Sequence, residues 1–156
     1  MYAQILVPFD VSMHAEKALA HAADLARVHN SRIILLHVIQ EIPMFPLIGH
    51  TSTSPETGLP QPFTEHVRMV YEESQKYVTQ MLKLKAMPYK QAGVNIETVV
   101  LIGNPVKKVL EHAEKNNVDL IVVGSVGLSG FAKLQALGSV SRGIAERATC
   151  PVLVIH

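Results

Sequence analysis

Hydrophobic residues in this chain gather in five short runs that are nearly continuous instead of alternating. They cover residues 3–9, 32–39, 96–102, 120–123 and 152–155, and valine, isoleucine and leucine dominate them. A strand buried on both faces of a parallel sheet needs apolar side chains on both sides, so the runs predict parallel strands. Helical spacing fills the gaps between them. After Ser12, a good N-cap, Ala15, Ala18, Leu19, Ala22, Leu25 and Ala26 fall on one face. A second helix is predicted from about 64 to 85, with Val67, Val70, Tyr71, Val78, Met81 and Leu82 inward and Pro88 ending or kinking it. Asn104-Pro105 starts a third, an N-cap followed by proline at the first helical position, with Val106, Val109, Leu110 and Ala113 inward. A fourth follows Gly138-Ser139, with Val140, Ile144 and Ala145 inward.

Strand and helix thus alternate through the chain. Right-handed crossovers turn that order into an α/β fold, a single doubly wound five-stranded parallel sheet with helices on both faces. Residues 1–156 read as one domain, long enough to bury a core without a metal or disulfide. Ligands of such sheets sit at the carboxyl ends of strands, where the winding reverses. If the first and fourth strands are neighbours, Asp10 and Gly124 face one crevice; the sequence does not fix that adjacency.

The fourth run leads into Gly124-Ser125-Val126-Gly127, and after ten intervening residues into Gly138-Ser139 and a helix. Glycine lets backbone N–H groups approach an anion closely, and a helix N-terminus presents unpaired N–H groups and a positive dipole end. The ordered set of strand, glycine loop and glycine-serine helix start therefore points to phosphate binding. Residues 43–62 are irregular and hold five of the nine prolines. They leave from the edge where the ligand is expected, either as a plain surface connection or as a flap or partner-binding loop.

Charge and composition narrow the partners. Formal net charge is +1 and no basic patch stands out, which argues against nucleic-acid binding. No apolar stretch reaches the ~20 residues that span a bilayer, and no leader pattern opens the chain. One cysteine, Cys150, fits the reducing cytoplasm and reads as a small packed hydrophobe.

The motifs together resemble the universal stress protein family over essentially the whole chain. The segment Ile5-Leu6-Val7-Pro8-Phe9-Asp10-Val11-Ser12 is similar to its first strand and turn, and Leu36-His37-Val38 to its second strand. Gly103-Asn104-Pro105 matches its Gly-x-Pro helix start, and residues 118–125, Gly138-Ser139-Val140-Ser141 and residues 150–155 match its fourth strand, loop and ending. The resemblance implies a flavodoxin-like, adenine-nucleotide α-hydrolase-like fold. It also implies ATP or AMP as ligand, with Mg2+ as an optional companion, and a homodimer through the last strand. By position, Pro8 and Asp10 would lie near adenine, with Val38 lining its pocket. Gly124, Gly127, Gly138 and Ser139 would hold ribose and phosphates, and Ser141 would add a contact. Two departures stand out. The gap between Gly127 and Gly138 is one residue longer than the nucleotide-binding branch's pattern. Val11 stands where glycine is common, which is harmless only if its backbone avoids the left-handed region.

Single residues keep two readings each. Asp10 either bonds the ligand or caps the turn into the first helix. Ser139 either donates to phosphate or is the helix N-cap. Lys133 and Arg142 either reach phosphate or stay on the surface. Among the eight histidines, His14 and His21 are two turns apart and too distant to share an ion. His37 reads as a packed core histidine and His112 as exposed. No metal site is expected.

No catalytic constellation is visible: Ser125 has no assignable base and there is no Gly-x-x-x-x-Gly-Lys-Ser/Thr. The expectation is a cytoplasmic, nucleotide-binding stress sensor or regulator. The alternatives are a slow ATPase or phosphotransferase, and an interaction module of the same fold that binds no nucleotide but docks a protein partner.

Overall fold

The computed structural model describes residues 2–41, 61–126 and 137–156, with side chains in the second helix from residue 68 onward. The elements are β1 (Gln4–Pro8), α1 (Met13–His29), β2 (Arg32–Gln40), α2 (Gln61–Gln91), β3 (Asn95–Gly103), α3 (Pro105–Lys115), β4 (Leu120–Gly124), α4 (Ser139–Arg147) and β5 (Val152–Ile155). All five apolar runs are strands. They form one parallel sheet in the order β3-β2-β1-β4-β5.

The continuous apolar runs have the predicted cause. Along β1, Ile5 and Val7 pack with α1 and α2 on one face, while Leu6 packs with α3 and α4 on the other. All three are fully buried, so β1 has no solvent face. The chain winds outward from β1 through β2 to β3, crosses back to β4, and then runs on to β5. β1 pairs directly with β4, Ile5 opposite Leu120 and Leu6 opposite Ile121. The winding therefore reverses between β1 and β4, and the adjacency that the sequence left open is supplied.

Three local expectations need correction. Pro88 lies inside α2, which continues to Gln91. Pro88 and Leu84 are on the exposed side of the helix, where solvent can satisfy the carbonyl that proline leaves unpaired. The stop comes instead at Gly93, φ +83, where Val94 N–H donates to the Tyr89 carbonyl. Val70 is 39% exposed instead of inward, and Ala145 is also exposed, so the apolar faces of α2 and α4 are narrower than the spacing suggests. His112 is half-buried, with its Nε2 atom shut away from solvent.

Candidate functional site

At the carboxyl ends of β1, β2 and β4 the sheet opens into a cavity of about 310 Å³. That size is in the range of small-molecule sites. Pro8, Asp10, Val38, Gly124, Ser139 and Ser141 all line it, so six of the seven described members of the sequence-derived set converge on one place. Gly138 immediately precedes α4 at the same end. Gly127 and Lys133 lie outside the described residues, as does most of the 43–62 segment.

The β1–α1 rim is closed by its own side chains. The Asp10 carboxylate accepts the Ser12 N–H at 3.1 Å. Ser12 is the α1 N-cap, and its hydroxyl oxygen accepts the Ala15 N–H at 3.1 Å. Of the two readings of Asp10, the capping one is visible, and the residue still faces the cavity. Val11 between them has φ 60, in the left-handed region. The condition under which valine would be harmless here is therefore not met: a β-branched side chain sits where glycine would be unstrained.

The β4–α4 rim is built differently. Gly124 abuts α1: a Cβ there would lie 2.7 Å from the His14 carbonyl carbon and 2.9 Å from the Ala15 nitrogen. Close packing of a strand end on a helix start is reason enough for glycine at this position. Ser125 N–H donates to the Ile155 carbonyl and its own carbonyl accepts the Gly138 N–H, each at 2.7 Å. Ser141 is buried, and its hydroxyl lies 2.8 Å from the Ser125 carbonyl and 3.0 Å from that of Gly138. It ties the two ends of the loop together.

The N-cap of α4 is Gly138, with no side-chain cap bond, and Ser139 is the first helical residue. Ser139 is therefore not the N-cap, because the helix starts one residue earlier than that reading needs. The leading N–H groups of α4 have no acceptor from their own cap side chain, and the residues that carry them, Ser139, Val140 and Ser141, line the cavity. Arg142 is exposed and donates to the Leu137 carbonyl at 3.4 Å.

Several lining residues were not anticipated. Phe9, Ser12, His37, Gln40, Pro105, Val109 and Val126 also face the cavity. Gln40 ends β2, so the strand-end rule applied to that strand would have found it. His37 is half-buried at the cavity wall, its Nδ1 2.7 Å from the Phe9 carbonyl, and is not a core residue. Its apolar neighbours in sequence hid this, since a strand nearing its end no longer has a helix over both faces.

The described lining is largely apolar, with Asp10 its acidic side chain and no lysine or arginine among the described residues. Among the described residues, attraction for an anion there would come from backbone N–H groups. Elsewhere, Cys150 is half-buried, and burial pushes its thiol up from the ordinary value, as suits a packed and unreactive side chain. No group of three metal-ligating side chains occurs among the described residues. No described helix is long and apolar enough to cross a membrane.

Fold and cleft together define a doubly wound α/β protein with a ligand cavity at its switch point. The model of the universal stress protein family matches residues 1–156, and the chain belongs to that family. Among its relatives is the universal stress protein YxiE of Bacillus subtilis, 34% identical over 159 residues and covering all of both chains. The solved structure of MJ0577, a Methanocaldococcus jannaschii protein, superposes with a TM-score of 0.81 at 26% identity, covering 99% of this chain and 96% of that one. A universal stress protein solved in complex with cAMP superposes with a TM-score of 0.68 at 25% identity, covering 99% of this chain and 97% of its own.

Proposed function

We propose that this chain binds an adenine nucleotide, ATP or AMP, in the switch-point cavity and acts as a cytoplasmic stress sensor or regulator. The observation that carries the reading is the α4 N-terminus, whose cap contributes no side-chain bond and whose first residue faces the cavity. Such an end attracts phosphate through free N–H groups and the helix dipole. Membership in the family and the cAMP complex of a relative support an adenine ligand. In this reading Pro8, Asp10 and Val38 form the base side. Gly124, Gly127, Gly138 and Ser139 form the ribose and phosphate side, with Ser141 acting by holding the loop. A Mg2+ ion would find one lining carboxylate among the described residues, Asp10, and would rely otherwise on phosphate oxygens and water.

The reading is of a binding protein and not a fast enzyme. Rapid phosphoryl transfer needs concentrated positive charge and a positioned activator. The described lining brings no cationic side chain; of the two serines a slow phosphotransferase would use as acceptor, Ser125 is only 2% exposed, while Ser139 faces the cavity.

Homodimerisation belongs to the same proposal. β5 is an edge strand, and its Leu153 is 38% exposed. Pairing β5 with its two-fold copy would cover that edge. Light scattering should give a mass of twice 17.1 kDa; a monomer at working concentration counts against it.

Mass spectrometry of small molecules released from freshly purified protein, with calorimetric titration of the stripped protein, tests the ligand. Bound or titratable ATP or AMP is expected. Absence of both would leave an interaction module of the same fold.

A further inference from the structure

The strained turn at Val11 must be held by its neighbours. A β-branched residue at φ 60 is disfavoured by about 1–3 kcal/mol and persists only where the surroundings over-determine it. Behind the turn, Asp10 and Ser12 fix the helix start as described. Ahead of it, β2 grips Phe9 twice. The Phe9 N–H donates to the Leu36 carbonyl at 2.8 Å, a backbone bond open to any residue at position 36. The Phe9 carbonyl faces His37 Nδ1 at 2.7 Å, and that contact needs a side-chain donor at position 37. A carbonyl only accepts, so Nδ1 carries the hydrogen.

We propose that His37 is a positioning residue for the cleft. Its Nδ1–H clamps the Phe9 carbonyl and thereby holds the strained Asp10–Val11–Ser12 turn in the shape that forms the cavity rim. The proposal rests on the nucleotide reading for its consequence, but the clamp is a property of the fold alone. It explains how valine is tolerated where the backbone asks for glycine: the strain is met by a bond from the neighbouring strand. It also makes a specific demand. If His37 works against the strain at Val11, the two residues are coupled, and relieving the strain must make the clamp less important.

The experiment uses the full chain in five forms: parent, His37→Leu, His37→Asn, Val11→Gly and His37→Leu with Val11→Gly. Each is titrated with ATP and AMP, and each is unfolded in urea without ligand. In the parent background His37→Leu should weaken nucleotide binding about tenfold, the scale of a lost hydrogen bond that orders a site. Asparagine offers an N–H close to the Nδ1 position and should bring affinity back to within about threefold. In the Val11→Gly background the same His37→Leu change should weaken binding less than threefold, and the urea midpoints should be non-additive in the same sense. Equal losses in the two backgrounds, or no loss in the parent, would overturn the proposal. A parent chain silent in titration would overturn the nucleotide reading and the positioning role with it. The ligand-free unfolding cycle would still show separately whether the clamp exists.

Discussion

Two helices begin at the cleft from adjacent strands, and their N-termini are finished in opposite ways. α1 is closed: Ser12 caps the Ala15 N–H and Asp10 takes the Ser12 N–H, so the chain's own side chains take two of the donors at this end. α4 is open: Gly138 brings no cap, and the nearest hydroxyls do not replace it. Ser139 is one position too late, and Ser141 is turned back onto the carbonyls of Ser125 and Gly138. Each helix has serine at its start, so composition does not separate them. What separates them is whether the serine precedes the first helical residue or is that residue. A serine at the cap consumes the donors that an anion would want; a serine inside the first turn leaves them available.

The largest expected effect lies where the two regions touch. Gly124 ends β4 against the first turn of α1, and a methyl group there would overlap the His14 backbone, which cannot rotate away. Gly124→Ala should therefore destabilise the protein by about 2 kcal/mol, as overpacking of a tight contact does. Urea unfolding measures this, and nucleotide affinity should fall with it because the two helix ends are pushed apart. A variant with parent stability would mean that the regions are not in firm contact.

A paired substitution sharpens the contrast. Ser12→Ala removes a used cap and should lower stability by about 1 kcal/mol. Ser139→Ala removes no cap bond and should move stability by less than about 0.5 kcal/mol, the ordinary range for a change away from such features. Affinity for nucleotide should follow the other order, with Ser139→Ala losing several-fold more than Ser12→Ala. Thermal unfolding and calorimetry on the same two variants decide it. If Ser12→Ala is the one that loses binding, the closed end is the ligand's end.

Much of this architecture was legible in the sequence because burial on both faces of a strand writes itself as a continuous apolar run. For the site, the family resemblance singled out Pro8, Asp10, Val38, Gly124, Ser139 and Ser141 by position, and these six line one cavity. What the sequence hid were properties that depend on neighbours distant in the chain. The β1–β4 pairing is such a property. So is the packing reason for Gly124, which needs His14 to be known as its neighbour. The contact of His37 with Phe9 joins strands that only the sheet brings together. Backbone angle was hidden too: nothing in the letters Asp-Val-Ser says that valine takes the left-handed conformation.

The smallest effect concerns the third helix at the cleft. α3 is finished like α1, with the Asn104 side chain accepting the Lys107 N–H at 3.0 Å, and its Pro105 and Val109 line the cavity only as a wall. Farther along α3, His112 offers a way to loosen that wall without touching the cleft. Its Nε2 is buried with no hydrogen-bond partner among the described residues. Burial holds the imidazole below its ordinary pKa of 6.5, with Glu97 on β3 pulling it up and Lys115 pushing it further down. The folded state thus resists protonation more than the unfolded chain does. Its contribution to stability is complete above pH 6.5 and declines as the pH falls from there toward the depressed folded value. The urea midpoint of the parent should drop modestly between pH 7.5 and pH 5, and His112→Leu should lose that component of the slope. Nucleotide affinity measured over the same interval then tests the wall. If stability falls while the difference in affinity between parent and His112→Leu stays constant, α3 only bounds the cavity and the two-ended contrast stands. If the parent's affinity falls in step with its stability and the variant's does not, α3 shapes the ligand's seat as well, and the open end of α4 works as part of a coupled pair.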